Sequence, residues 1–430
     1  MAKIKKNYCY LQYEIDKREL RSRIFLASRL IPLNETIYIF QHSQLARIAF
    51  FYPKGSIFLK STPPAINFLI ILLRFRGFKI GLWQEEGIHF KDTDKGSPIF
   101  SRLVSKYIDT YFAWHPDDAN FAIKQGINPE HIKTVGNVRM ELASQVLNSR
   151  NTNINDSYTI LLVTNFDTSL LKYNFKEDGN ISAEIANKEN SNARKYNSIA
   201  ANNLRLYQTL IDHNSAEKYR FILRPYVFER ATGLVSDKIV IDQNVSIFET
   251  FKEIDLIIHY GSTAGIEGIY SGIPSIILSN DVSLVDYRIL NSSELFSDCS
   301  ELYSFLDRTI INRGDIDKLS QFQISKATQN YDFDFSNSEH SEFILRFVSE
   351  GLKQSINYYI LKDLIKEFPN YFQIFIKSKI MNFFIINTSY KSQDLDINFI
   401  ENEFKDMKVG RSIRVRTSRN CKIMKIYPYK

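Results

Sequence analysis

A chain of 430 residues with 44% apolar and 24% charged side chains is long enough for two or three domains and ordinary enough in composition to bury a core, which sets aside a low-complexity polypeptide. Its net charge of +7 fits an anionic partner such as nucleic acid, a membrane surface or a phosphorylated substrate. Its three cysteines, Cys9, Cys299 and Cys421, are too few and too far apart for a disulfide framework or a CxxC metal site, and so point to a reducing compartment.

Met1–Lys6 is basic, but polar residues interrupt Tyr8–Ile15, so the start does not read as a signal peptide. Short apolar runs at Tyr8–Glu14, Thr36–Gln41, Ser56–Leu59, Lys79–Trp83, Thr110–Ala113 and Ile132–Val135 predict strands. Helical stretches at Lys17–Leu30, Pro64–Arg76 and Pro116–Gln125 lie between them, the alternation of a parallel sheet covered on both faces. The longest apolar run, Ala65–Leu73, contains Asn67 and stops at Arg74, short of the roughly 20 residues that cross a bilayer. Asn148–Ser157 is polar and reads as a linker. Strands resume at Tyr158–Thr164, Tyr219–Leu223, Lys238–Ile241, Leu256–His259 and Ser275–Leu278, with a polar insertion over Tyr173–Asn203 and a helix near Ser198–Ile211. Beyond Cys299 the pattern predicts helices, including Glu342–Gln354 and Tyr358–Phe368. The expected organisation is an N-terminal Rossmann-like α/β domain over 1–147, a second over 158–300, and a helical extension over 301–430 that ends in a basic tail.

Five segments carry candidate chemistry. In the run His259-Tyr-Gly261-Ser262-Thr263-Ala-Gly265-Ile-Glu267 a buried strand ends in a glycine turn and a helix start. A helix N-terminus suits phosphate, Ser262 and Thr263 add hydroxyls, and Glu267 is placed to reach a ribose or sugar hydroxyl; a plain strand–turn–helix corner with a serine N-cap is the other reading. There is no P-loop and no GxGxxG. Glu85-Glu86-Gly87 directly follows a predicted strand, where crowded carboxylates suit general acid–base work or form a solvated acidic turn. Arg224, ending another strand ahead of Pro225 and Tyr226, suits a phosphate or carboxylate, or simply faces solvent. Asn165 and Asp167 follow the first strand of the second unit, as cleft residues or as turn formers. Gly136-Asn137-Val138-Arg139-Met140-Glu141 closes the first unit, a turn with Arg139 facing a cleft or the solvent. His115-Pro116-Asp117-Asp118 looks metal-like but lacks a second ligand cluster and reads as a helix start; no metal is expected.

Taken in this order, the segments resemble the bacterial surface carbohydrate biosynthesis proteins, glycosyltransferases of the GT-B architecture in which two Rossmann-like domains face a cleft. Tyr13-Glu14-Ile15-Asp16-Lys17-Arg18-Glu19-Leu20 resembles the N-terminal "RELDA" region of that family. Glu85-Glu86-Gly87 is similar to its acidic-acidic-glycine motif, shared with bacterial sialyltransferases and CMP-dependent Kdo transferases. Gly136–Glu141 resembles GNPRFD, Arg224–Glu229 resembles RPHPxE, and His259–Glu267 resembles HxGSTxGIE. Val138 stands where the family has proline, and Tyr226-Val227 where it has His-Pro; a tyrosine hydroxyl donates a hydrogen bond but does not replace an imidazole.

The resemblance implies a metal-independent glycosyltransferase of capsule or lipopolysaccharide biosynthesis that needs no cofactor beyond its donor, a CMP-linked ulosonic acid such as Kdo. Arg224, Tyr226, His259, Gly261, Ser262, Thr263, Glu267 and Asn165 would bind that donor. Glu86 or Glu85 would act as acid or base, and Asp167 as the carboxylate of a retaining mechanism. Gly87, Gly136, Asn137 and Arg139 would shape the cleft. The alternatives are a UDP-sugar-dependent GT-B enzyme and a non-catalytic subunit of a glycan assembly complex. The expected partners are the nucleotide-sugar donor, a glycan or lipid-linked acceptor and, through Arg411–Lys430, an anionic membrane surface, with no nucleic acid; the expected location is cytoplasmic, peripheral to the inner membrane.

Overall fold

The computed structural model describes residues 8–14, 19–33, 36–83, 101–149, 158–164, 191–214, 218–225, 234, 237–244, 246–311, 313–331, 339–350, 358–384, 413–417 and 423–428. They fall into two compact units, Met1–Glu141 with Asn337–Lys430, and Leu142–Ser336.

In the first unit β1 (Tyr8–Tyr13), α1 (Arg21–Leu30), β2 (Thr36–Gln41), α2 (Leu45–Phe51), β3 (Ser56–Leu59), α3 (Asn67–Phe75), β4 (Lys79–Trp83), α4 (Arg102–Ser105), β5 (Thr110–Ala113), α5 (Pro116–Lys124) and β6 (Ile132–Thr134) alternate along the chain. The strands β1 to β6 pair in parallel. Every residue of β2 and β3 is buried, as expected of strands covered on both faces. At α5, Pro116 occupies the first turn and the His115 ring accepts from the Asp117 N–H at 3.1 Å. Asp118 accepts from Tyr111 Oη at 2.5 Å and from the Trp114 N–H at 2.9 Å. The metal-like sequence is therefore a helix start.

The second unit follows α6 (Val138–Ser149), the helix within which the division between units falls. It contains β7 (Tyr158–Val163), α7 (Ser191–His213), β8 (Tyr219–Arg224), β9 (Ile239–Ile241), α8 (Ile247–Thr250), β10 (Leu256–His259), α9 (Thr263–Tyr270), β11 (Ser275–Leu278), α10 (Tyr287–Ser292), β12 (Glu294–Phe296), α11 (Cys299–Ile311) and α12 (Arg313–Tyr331). Its parallel sheet runs β12-β11-β10-β7-β8-β9. Numbered from β7 as the first strand, this is the doubly wound order 3-2-1-4-5-6 read from the other edge.

The C-terminal third differs from the expected helical extension. Residues 142–336, including α11 and α12, cluster as the second unit, whereas α13 (Glu339–Ser349), α14 (Tyr358–Phe384), β13 (Ile413–Thr417) and β14 (Ile423–Pro428) belong to the first. The strands do not stop near Cys299. β13 and β14 form an antiparallel pair, and β14 adds antiparallel to β2, giving the sheet order β13-β14-β2-β1-β3-β4-β5-β6. What reads as a solvated basic tail thus contains an edge pair of strands in which Ile423, Met424 and Ile426 are buried. Arg416 and Lys425 lie over the Tyr427 ring at 5.8 and 5.3 Å, so aromatic faces stack under charges that composition alone assigns to a loose tail. Among the described residues no helix is long and apolar enough to cross a membrane.

Candidate functional site

In open α/β sheets, ligands bind beyond the carboxyl ends of the strands where the strand order reverses. In the second unit that point lies between β7 and β10, which pair with Val163 opposite His259. The residues just beyond it are Thr164 on one side and Tyr260-Gly261-Ser262-Thr263 on the other.

The chain leaves β10 through Gly261, whose φ of 60° lies in the left-handed region open to glycine, and a β-carbon there would press on the Val285 side chain at 3.2 Å. Ser262 is extended, with φ −77° and ψ 142°, and caps α9: its Oγ accepts from the Ala264 N–H at 3.2 Å and its carbonyl from the Gly265 N–H at 3.0 Å. Ser262 and Thr263 are half-buried, whereas Gly261 and the rest of α9 are buried. The two hydroxyls of the motif thus sit at the accessible start of the helix.

His259 takes a different role from the expected one. Its ring is fully buried. Nδ1 accepts from the Ser262 N–H at 3.1 Å, so the proton resides on Nε2, which donates to Ser275 Oγ at 2.7 Å. Ser275 Oγ lies 3.1 Å from Ser293 Oγ, and the Gln323 side chain bonds both backbone groups of Ser275, at 2.8 and 2.9 Å. Burial pushes the His259 pKa down to about 3. His259 is a neutral strut that fixes the turn. Gly265 serves the same strut, because a β-carbon there would overlap His259 Nε2. Glu267 is 1% exposed, on the buried part of α9.

Arg224 ends β8, one strand beyond β7. Its Nη1 donates to Asp242 Oδ2 at 2.5 Å and to the Asn244 carbonyl at 3.2 Å. Asp242 also accepts from Thr250 Oγ1 at 2.7 Å and from the Asn244 N–H at 2.9 Å. Arg224 is therefore not a cation loose in solvent: its Nη1 is committed to a buried carboxylate. Asp286 and Arg288, which sequence reasoning missed, form a buried pair after β11: Asp286 caps α10, and its carboxylate binds Arg288 Nε at 3.0 Å. The signal was present as an Asp ahead of a short helical run.

In the first unit the order β2-β1-β3 places the reversal between β1 and β3. Just beyond it, Lys60 Nζ bonds Glu14 at 2.8 Å and the buried Glu19 at 2.9 Å. Gln12 joins them, accepting from the Lys60 N–H at 2.8 Å and meeting His42 Nδ1 at 2.6 Å. Glu14 and Glu19 belong to the stretch singled out in the sequence, while Lys60 was not anticipated. Gly136, with φ 72°, and Asn137, whose Oδ1 accepts from the Arg139 N–H at 2.8 Å, form the start of α6. Arg139 is 3% exposed and so is not a solvated turn residue. Glu141 accepts from both the N–H and the hydroxyl of Ser341, at 3.0 and 2.7 Å, and burial raises its pKa. Glu85, Glu86, Gly87, Asn165, Asp167 and Tyr226 lie outside the described residues. Among the described residues there is no group of three or more His, Cys, Asp or Glu side chains able to hold a metal.

No family model matches the chain, and no characterised protein matches it by sequence. Solved structures do match in fold. A Staphylococcus aureus MnaA–UDP complex is 11% identical and covers 83% of this chain and 100% of its own, with a TM-score of 0.50. A Listeria monocytogenes protein assigned as a UDP-N-acetylglucosamine 2-epimerase is 10% identical over 82% of this chain and 98% of its own, with a TM-score of 0.52. The Neisseria meningitidis UDP-GlcNAc 2-epimerase bound to UDP-GlcNAc is 10% identical over 80% of this chain and all of its own, with a TM-score of 0.50. The first of these structures holds UDP and the third UDP-GlcNAc, which overturns the expectation of a transferase using a CMP-linked ulosonic acid, and no relation to Kdo transferases or sialyltransferases emerges. The two parallel-sheet units have a GT-B-like fold, similar to that of the UDP-GlcNAc 2-epimerases.

Proposed function

We propose that this chain is a UDP-sugar-dependent enzyme of the GT-B architecture, with the nucleotide diphosphate held at the start of α9. The observation that carries this reading is the coincidence of Gly261-Ser262-Thr263 with the point where the second sheet reverses its strand order. An eight-residue helix opening there, capped by Ser262, offers its positive end and two half-buried hydroxyls to phosphate oxygens. The UDP and UDP-GlcNAc in the fold neighbours support uridine over cytidine. In this reading Arg224, oriented by Asp242, serves the diphosphate, and Tyr226 and Asn165 are assigned to the donor as well. Glu86 or Glu85 is assigned to proton transfer, and Asp167 is the carboxylate of a retaining mechanism.

Thermal shift and calorimetric titration with UDP, UDP-GlcNAc and CMP test the assignment. At a hundredfold excess over Kd, UDP stabilises the fold by about 2.7 kcal/mol and CMP leaves it unchanged; stabilisation by CMP alone would sink the reading. Proton NMR of UDP-GlcNAc incubated with the enzyme separates the two reaction classes: inversion at C2 marks epimerisation, while UDP release that requires an added acceptor marks transfer.

A further inference from the structure

The first unit carries an exposed aromatic ridge that the proposed chemistry does not use. α14 packs on the core through Ile360, Leu364 and Tyr371. Offset by one residue, Leu361, Ile365, Phe368 and Phe372 form a second stripe at helical spacing, and they are 40, 66, 51 and 51% exposed. Ring contacts carry the stripe across to α2. Phe368 lies 6.1 Å from Phe372 and 5.5 Å from Phe68; Phe68 lies 6.2 Å from Phe50, and Phe50 lies 6.0 Å from Phe51, which is 80% exposed. Contiguous apolar surface of this kind marks an interaction site, unlike singly scattered residues.

Among the described residues, the exposed charges on these same elements have one sign. Arg47, Lys54, Lys362 and Lys366 are exposed. The sequence has no acidic residue between Glu35 and Glu85, so α2, α3 and the segments joining them have none. On the described face of α14, Glu367 is buried, and Asp363 is held by Lys106 and Tyr107, each at 2.5 Å. Aromatic rings flanked by cations complement an interface of acyl chains and anionic headgroups. They do not suit a second copy of the chain, because a two-fold contact would set the four cations of one copy against those of the other.

We propose that this ridge is a membrane-docking surface that seats the first unit on an anionic lipid leaflet, with Phe51, Phe368 and Phe372 entering the headgroup region and Arg47, Lys54, Lys362 and Lys366 meeting lipid phosphates. This surface is distinct from the basic C-terminal segment, whose strands β13 and β14 are built into the sheet.

Co-sedimentation of the full-length protein with vesicles of phosphatidylcholine, with and without phosphatidylglycerol, tests it. The protein partitions onto the anionic vesicles and is released as salt rises. Phe51→Ser combined with Phe372→Ser weakens partitioning roughly tenfold or more. Each of Arg47→Gln, Lys54→Gln, Lys362→Gln and Lys366→Gln weakens it about fivefold. All these side chains are exposed, so melting curves stay at the wild-type position and exclude unfolding as the cause. No partitioning onto anionic vesicles, or equal partitioning by wild type and variants, overturns the proposal. A dimer in solution that the paired Phe51→Ser and Phe372→Ser substitutions disperse assigns the ridge to self-association and overturns it as well.

Discussion

The imidazole of His259 occupies the space that a β-carbon on Gly265 would need. The strand that ends at His259 and the helix that contains Gly265 are thereby locked together, and the turn between them is held at Gly261, Ser262 and Thr263. Gly265→Ala is expected to cost about 1–3 kcal/mol through overpacking against a ring with no room to withdraw. The same substitution should cost much less in a His259→Ser background. Urea unfolding of the two single variants and the double variant gives the coupling directly; strictly additive losses would separate Gly265 from His259.

The same ring predicts an acid limit. The folded-state pKa of His259, about 3, lies below the ordinary value of 6.5. Between these values the unfolded chain binds a proton that the folded protein does not, so stability rises with pH across that window. The contribution is fully present above about pH 6.5 and is lost as pH falls toward 3, on the order of 5 kcal/mol at about 1.4 kcal/mol per unit. Glu141 has the opposite sign: burial raises its pKa, so its contribution is present at low pH and declines as pH rises through the folded value. Melting temperatures measured from pH 7 down to pH 4 should fall, and His259→Gln should flatten that slope while lowering stability at neutral pH. An unchanged slope in the variant would remove His259 as the titrating group.

Asp242 is 1% exposed at its side chain and Arg224 is 12% exposed. Removing one partner strands a buried charge, which costs about 3–5 kcal/mol. Asp242→Ala should therefore destabilise the second unit by that order and also weaken UDP binding, because Arg224 loses the carboxylate that orients it. Asp242→Asn should recover part of the stability. Denaturation paired with UDP titration separates the two effects; full UDP affinity in a folded Asp242→Asn protein would detach Arg224 from the diphosphate.

Ser341 bonds Glu141 through both its backbone and its hydroxyl. Ser341→Ala should cost about 1–2 kcal/mol through the lost charge-assisted bond. Deleting residues from 337 onward should be far more damaging, leaving Glu141 buried without either donor and β2 without its neighbour β14. Soluble yield and urea midpoints of the two variants make the comparison.

The strands β1 to β11 are legible in the sequence because their apolar runs end in turn residues, as in Leu256–His259 ahead of Tyr-Gly-Ser-Thr, whereas β12, only three residues long, is not. The turn and helix start at the edge beyond β10 are legible for the same reason. The roles within that edge are not. His259 looks like a ligand contact until Ser275, 16 residues on, and Gly265 enclose it. Arg224 looks like an unattached cation until Asp242, 18 residues on, reaches it. Each role depends on a partner brought near by a strand crossover, which local spacing does not encode. β13 and β14 escape notice because their residues alternate with arginine and lysine, and only pairing with β2 reveals the buried side of Met424 and Ile426.

The pairing of β14 with β2 also sets an order of events during synthesis. The segment 142–336 is continuous and has all its strands by the time Phe296 is made, so it can close on itself early. The sheet begun at Tyr8 waits for residues 423–428 before its edge is covered. On a ribosome that makes the N-terminus first, the unit started first is the one completed last. Its β2 edge is open to other chains throughout that interval, making the nascent protein most dependent on chaperone protection until β14 is made.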